Sequence, residues 1–179
     1  MNLPTGTQEF GAEDTDLLVH TTCDGAAARL GHNLTLVFTS WRAVLARGDE
    51  PAASSLEVTV DLDSLDIRDS SGGVKPMTDN DRAEIKRNAA KSLRTREHPQ
   101  LRFVTTEITG SWSAGEITGD VTLNGTTSAA TFQVVALNGG FRLGGELKQS
   151  AFGIKPYSAM MGTLRLSDSV LLEVHLPQA

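Results

Sequence analysis

The chain has 179 residues, of which 39% are hydrophobic, and this is enough to build one domain around a single core. Its formal net charge is −6 and its pI is about 5.2, which argues against nucleic acid as a partner because phosphate binding leaves a basic surface. Aromatic residues make up only 5% of the chain, so aliphatic side chains must line most of the interior.

Cysteine usage and the amino-terminal residues set further limits. The single cysteine, Cys23, excludes an internal disulfide and a multi-cysteine metal site, and we interpret it as a small core residue. Residues 1–16 contain no lysine, arginine or apolar run, so they do not resemble a secretory signal and we expect a cytoplasmic protein. No segment approaches the ~20 apolar residues that span a bilayer, so stable membrane insertion is not expected.

The first half of the chain predicts an arm, several strands and a loop. Residues 1–15 show little periodicity and are predicted to be a flexible amino-terminal arm, followed by a barrel domain over 16–179. A short strand begins near Leu17, and the segment from Ile67 to Met77 is too polar for a core and is predicted to be a loop. Alternating apolar residues predict further strands at Leu34, Leu36 and Phe38, continuing with a bend through Trp41, Ala43 and Leu45, and at Leu56, Val58 and Val60.

One convincing helix follows this loop. Thr78 or Asp79 can cap its amino terminus, and acidic residues in the first turn favour the exposed backbone N–H groups. Ile85, Ala89 and Leu93 recur at four-residue spacing and form one narrow apolar stripe, which suits a helix laid over a sheet or a barrel mouth. The His98-Pro99 dipeptide prevents continuation of the helix.

The second half of the chain is a run of alternating strands separated by tight turns. Asn124-Gly125 and Asn138-Gly139 each lie between two alternating runs, and this pattern predicts a β-hairpin. Counting all runs gives eight or nine strands. We therefore predict a mainly β fold, an antiparallel barrel of about eight strands with one α-helix packed over it.

No catalytic constellation is evident in the sequence. The four histidines are scattered and none has a metal-ligand spacing, so neither a metal site nor a cofactor is expected. There is no nucleophile elbow and no phosphate-binding glycine loop, so we expect a protein that is not an enzyme and has no catalytic residue.

Two repeated loops suggest a charged mouth for the barrel. Lys75 and Lys155 each precede a proline, which holds the preceding residue extended. If both loops lie at one barrel mouth, these lysines could form an anion or headgroup site with His32, to which Tyr157 adds a donor. The alternative is that they are ordinary connecting loops with two solvent-exposed lysines. The adjacent Met160 and Met161 offer either an adaptable ligand surface or core filler.

Several short motifs follow one another in order along the chain. They are Gly31-His32-Asn33, Val60-Asp61-Leu62-Asp63-Ser64-Leu65, His98-Pro99 with Leu101-Arg102-Phe103, Gly119 to Thr127, and Gln149-Ser150-Ala151-Phe152-Gly153-Ile154. Together they resemble the YceI family of lipocalin-like barrel proteins, and the resemblance covers about residues 16–176. It implies an elongated apolar interior that holds a polyisoprenoid or a similar amphiphile. Many relatives are exported, whereas this chain shows no signal, and Leu93-Arg94-Thr95-Arg96 lacks the aromatic residue typical after the helix.

The favoured interpretation is a non-enzymatic carrier for a long apolar amphiphile, an isoprenoid or a fatty species, held inside the barrel. Small residues at Gly119, Ala136 and Gly145 are expected to leave room in the lumen. The predicted ligand-binding residues are Leu34, Leu36, Phe38, Val58, Phe103, Val121, Phe132, Val134, Phe141, Leu143, Phe152, Ile154, Tyr157, Met160, Met161 and Leu172. The alternative is a structural or stress-related interaction protein with a packed barrel and no ligand. The sequence leaves a homodimer open.

Overall fold

The computed structural model describes residues 5–177, which form fourteen strands and one α-helix. The elements are β1 (Gly6–Gly11), β2 (Leu17–Thr21), β3 (Cys23–Asp24), β4 (His32–Phe38), β5 (Trp41–Arg47), β6 (Ser55–Asp61), β7 (Leu65–Gly72), α1 (Asp79–Leu93), β8 (Gln100–Gly110), β9 (Ala114–Leu123), β10 (Thr126–Leu137), β11 (Gly140–Lys148), β12 (Ser158–Ala159), β13 (Leu164–Leu166) and β14 (Ser169–Pro177).

Eleven of the strands form one antiparallel sheet that curls into a barrel. The sheet order is β1-β5-β6-β8-β9-β10-β11-β14-β2-β4-β7. β4 and β5 follow each other through a bend, as do β6 and β7, and β4 pairs with β7 while β5 pairs with β6. β1 pairs with β5 and β2 pairs with β4, so β1 and β2 lie on the same side of the bent β4–β5 strand. When β1 with β2, β4 with β5, and β6 with β7 are each counted as one strand, the ladder closes into a ring of eight. This confirms the predicted antiparallel barrel and the bend between Phe38 and Trp41.

The predicted amino-terminal arm is wrong for the part that the structure describes. Residues Gly6–Gly11 form β1, which pairs with β5 along its whole length and buries Phe10 to 7% exposure. Met1–Pro4 lie outside the described residues. The sequence pattern missed β1 because this edge strand carries only one large apolar side chain, and its stability comes from pairing with a strand that is more than thirty residues away.

The predicted polar loop after Ile67 is also shorter than expected. β7 extends to Gly72 and pairs with β4 up to His32, although Arg68 to Gly72 contains no apolar residue. The backbone ladder with β4 holds this half of the strand, and a register shift between Thr35 and Leu36 marks where its regular alternation is lost.

The two predicted hairpins are present. Leu123 pairs with Thr126 around the Asn124-Gly125 turn, and Leu137 pairs with Gly140 around the Asn138-Gly139 turn. Asn124 and Gly125 have φ values of 54° and 74°, the left-handed conformation that a two-residue hairpin of this kind requires. In the second turn only the glycine has a positive φ.

The helix lies across one end of the barrel, as predicted. The Thr78 hydroxyl accepts a hydrogen bond from Asp81 N–H while the Asp81 carboxylate accepts one from Thr78 N–H, which completes a capping box. Ile85, Ala89 and Leu93 are half-buried against the core, and no residue of α1 is fully buried. A small sheet in the order β12-β13-β3 lies beside this end of the barrel.

Candidate ligand cavity

The barrel encloses a cavity of about 610 Å³ between the inner face of the sheet and α1. Its wall is mainly aliphatic, and the helix contributes its apolar stripe through Ile85, Ala89 and Leu93. This volume falls within the ~300–1,000 Å³ typical of sites for small molecules. The arrangement therefore provides a largely apolar space that can bind an apolar chain.

Most of the predicted ligand-binding residues line this cavity. The members of the predicted set found in its wall are Leu34, Leu36, Phe38, Val58, Phe103, Val121, Phe132, Leu143, Phe152, Ile154, Tyr157 and Leu172. Lining residues that the prediction left out include Leu17, Val19, Val60, Ile117, Leu147, Val170 and Val174. They occupy alternate positions of the same predicted strands, so extending each alternation along the whole strand would have found them.

Four residues of the predicted set do not line the cavity. Val134 and Phe141 lie close to the Asn138-Gly139 turn and pack against the core there, where side chains fill the lumen. Met160 and Met161 lie between β12 and β13 and point to solvent, with exposures of 55% and 103%. Their exposure contradicts the interpretation as core filler, and they do not line the cavity, so their contact with a ligand stays a prediction.

The small residues do not create the cavity in the way the sequence suggested. A Cβ placed on Gly119 would come within 2.6 Å of the Phe103 ring, and one on Gly145 would come within 2.7 Å of the Phe132 ring. The two glycines are therefore covered by aromatic rings, which meet edge to face with centroids 5.4 Å apart. Ala136 is exposed near the turn. The free volume comes from barrel curvature and the helix cover.

The mouth of the cavity brings together two of the three predicted headgroup residues. His32 Nε2 donates a hydrogen bond to the Lys75 carbonyl oxygen at 2.9 Å, and both residues line the cavity. Lys155 is exposed and does not line it, although Tyr157 does. The predicted trio is thus only partly assembled, because Lys155 follows the buried Ile154 and faces away from the lumen.

A carboxylate also faces this mouth. The Thr78 hydroxyl and backbone N–H hold the pKa of Asp81 below its ordinary value, and His32 and Lys75 lower it further by their charge. Asp81 and Glu84 line the cavity entrance beside the apolar stripe of α1. The entrance therefore carries both signs of charge rather than a purely cationic site.

Cys23 lines the mouth instead of lying in the core. It is half-buried, and its Sγ donates to the His32 carbonyl oxygen at 3.3 Å. Burial raises the pKa of the Cys23 thiol, and the charge of Asp24 raises it further. The thiol is held in its protonated, weakly nucleophilic form at neutral pH.

Comparison with known proteins places the chain in a family. The model of the YceI-like domain matches residues 19–177, almost the entire barrel. The chain belongs to the YceI-like family. Protein YceI of Escherichia coli O6:H1 is 28% identical over 115 residues, covering 59% of this chain and 54% of that protein. A UPF0312 protein of Pseudomonas paraeruginosa is 29% identical over the same shares. The match thus spans about half the length of these curated relatives.

Solved structures of other YceI-like proteins share this fold. The crystal structure of BcnA from Burkholderia cenocepacia superposes with a TM-score of 0.70 at 20% identity, covering 92% of this chain and 96% of that chain. The YCEI protein of Campylobacter jejuni gives a TM-score of 0.60 at 15% identity and covers 82% of each chain. At these identities the similarity establishes the barrel architecture alone. Across residues 5–177, the structure contains no helix that is long and apolar enough to cross a membrane.

Proposed function

We propose that this YceI-like protein is a non-enzymatic carrier that holds a long apolar amphiphile, such as a polyisoprenoid or another lipid, inside its barrel. The observation that carries the proposal is the cavity of about 610 Å³, whose wall is aliphatic from the strands to the helix. Transfer of each methylene from water into such a space contributes about 0.8 kcal/mol, so a chain of moderate length binds without any specific polar contact.

The cavity volume sets an expectation for the length of the ligand. If each heavy atom takes the ~30 Å³ of a water molecule in the liquid, a cavity of 610 Å³ holds about 20 heavy atoms. That is the size of about four isoprene units or one long fatty chain. The polar groups at the entrance, among them Lys75, Asp81 and Glu84, leave the headgroup near water rather than in the lumen.

The alternative, a packed interaction barrel without a ligand, required inward side chains that fill the lumen. The aromatic residues Phe103 and Phe132 project into the lumen, yet the space remains large after both are placed. A void of this size lined by aliphatic side chains forfeits packing energy when empty, which favours an occupant.

The test is mass spectrometry of an organic-solvent extract of the purified protein, prepared without unfolding and compared with a mock purification. We expect a stoichiometric isoprenoid or fatty species. Leu172→Trp places a large ring in the cavity wall and should abolish or strongly reduce this species.

Leu171→Trp is the matched control, because the neighbouring leucine on the same strand points outward with 42% exposure. It should retain the ligand of the parent protein. An extract without ligand, together with no uptake of added prenyl lipids or fatty acids by the native protein, would refute the carrier and favour the packed barrel.

A further inference from the structure

We propose that the hairpin tip at Met160–Thr163, between β12 and β13, docks the cavity mouth onto an anionic lipid bilayer. This inference rests on the proposed function, because an apolar chain of the expected kind resides in membranes and a carrier must collect it there. The tip lies at the end of the barrel where the cavity opens, since β13 and Tyr157 contribute to the cavity wall.

The tip exposes apolar side chains to solvent. Met161 is fully exposed at 103% and Met160 is 55% exposed. Leu30, Val74 and Tyr157 line the cavity and are themselves 42%, 67% and 41% exposed. Five of the eight large apolar residues exposed within residues 5–177 thus surround or flank the mouth. Such a concentration marks an interaction surface rather than chance exposure.

The backbone holds the two methionines outward. Both have a positive φ, 51° at Met160 and 57° at Met161, a conformation that side chains of this kind rarely adopt. Thr163 stabilises the turn, because its backbone N–H and its hydroxyl both donate to the Met160 carbonyl oxygen. Ala27 N–H donates to the Thr163 carbonyl oxygen at 2.9 Å and ties the tip to the segment that carries Leu30. The exposure of the two methionines therefore results from a turn that hydrogen bonds hold in place.

The charge around the tip selects an anionic surface. The cations around the tip and the mouth are Arg29, Lys75, Lys155 and Arg165, and the carboxylates there are Asp24, which stands opposite Arg165 in the β13–β3 ladder, and Asp81 and Glu84 at the entrance. This end of the barrel therefore has a small cationic excess, although the whole chain has a net charge of −6. Arg165 lies on β13 and lines the mouth, and Lys155 is exposed beside Tyr157. An apolar tip with a small cationic excess around it matches the interface of a bilayer that contains anionic lipids, where each uncompensated cation near the surface strengthens binding about fivefold.

The test measures binding of the full chain to ligand-free vesicles by flotation. Vesicles of phosphatidylcholine alone are compared with vesicles that contain phosphatidylglycerol, at low and at physiological salt. We expect binding to the anionic vesicles that weakens with salt. The double variant Met160→Asn, Met161→Asn should bind roughly tenfold more weakly for each methionine, because the apolar contact is lost. Asparagine tolerates the left-handed backbone, so the turn should persist.

The matched control is the double variant Val135→Thr, Leu137→Thr. It removes two apolar side chains of 38% and 42% exposure from β10, beside the turn at the opposite end of the barrel. It should bind vesicles as the parent does. Lys155→Gln with Arg165→Gln should weaken binding only to the anionic vesicles.

Each outcome has a definite meaning. Absence of vesicle binding by the parent, or equal binding by the methionine variant, overturns the docking surface. If the parent sediments as a dimer and the methionine variant as a monomer, the tip is a contact between copies of this chain, which also overturns it. Failure of the proposed function is a separate result, because the extracted-ligand measurement on the parent does not depend on vesicle binding. In the supporting case, the methionine variant retains its affinity for an added prenyl lipid in detergent but exchanges that lipid with vesicles more slowly than the parent does.

Discussion

Replacement of Gly119 by alanine tests how closely the aromatic rings cover the inner face of the barrel. An ideal Cβ at this position would lie 2.4 Å from the Val104 carbonyl oxygen and 2.6 Å from the Phe103 ring. The close backbone approach occurs next to the register shift between Thr105 and Glu107 in the β8–β9 ladder. Because one of the two obstacles is main chain, the strain cannot be relieved by rotating the ring alone.

The expected cost is that of an overpacked core, about 1–3 kcal/mol of unfolding free energy. For a chain of this size each kcal/mol lowers the melting temperature by about 2–4 °C, so a loss near the middle of that range gives a decrease of roughly 4–8 °C. Phe103 lines the cavity, so its displacement should also reduce the amount of bound ligand.

Urea unfolding followed by circular dichroism measures the effect. The midpoint should fall while the slope remains that of the parent, since the area exposed on unfolding is unchanged. Gly144→Ala is the matched control on β11, because its Cβ would be 3.6 Å from the Leu172 carbonyl oxygen, an ordinary contact. Its stability should be unchanged or raised slightly, by less than about 1 kcal/mol. If the Gly119→Ala protein is as stable as the parent, or if both variants lose the same unfolding free energy, the Phe103 ring and the Val104 carbonyl do not pack closely on Gly119.

Substitutions at two further positions test the amino-terminal cap of α1 and the Asn124-Gly125 turn between β9 and β10. Thr78→Ala removes the amino-terminal cap of α1 and should cost about 1 kcal/mol. Thr78 lowers the pKa of Asp81, so the ionised carboxylate stabilises the fold above its ordinary pKa of 3.8 and this contribution is lost as the pH falls. The difference in unfolding free energy between Thr78→Ala and the parent should therefore shrink when urea titrations are repeated in acid. A difference that does not change with pH would contradict this. Asn124→Ala removes the bond from Nδ2 to the Phe152 carbonyl oxygen at 3.0 Å. It also places at a φ of 54° a residue without the short polar side chain that lets asparagine adopt this conformation, and the total cost should be roughly 2–3 kcal/mol. Asn124→Gly keeps the turn and should lose only about 1 kcal/mol in the same unfolding assay, whereas equal losses would show that the backbone conformation contributes nothing.

Sequence patterns predicted those parts of the molecule that depend on neighbours in the chain. The turn at Asn124-Gly125 requires two left-handed residues in succession, and this residue pair satisfies that requirement locally. The helix cap depends on Thr78 and Asp81, which are three residues apart. The alternation of apolar residues in the long strands indicated which side chains face inward, because side chains of a strand alternate between its two faces.

Several predictions failed where the outcome depends on distant parts of the chain. β1 exists because Gly6–Gly11 pairs with β5, which local periodicity does not reveal. Gly119 is covered by Phe103 from the neighbouring strand rather than left open. Val134 and Phe141 face inward but lie beyond the end of the cavity, and where a cavity ends depends on the packing of the entire barrel.

By itself the amino-acid sequence determined the class of fold, the single capped helix, the hairpins and the aliphatic character of the inner face, since each depends on interactions within a few residues. Only the tertiary structure decided that the ring of strands leaves a cavity, that α1 covers it, and that Met160 and Met161 project away from it. Volume and exposure are properties of closure and curvature, which arise from pairings between residues far apart in the chain. The same alternating pattern is compatible with a filled barrel and with a hollow one.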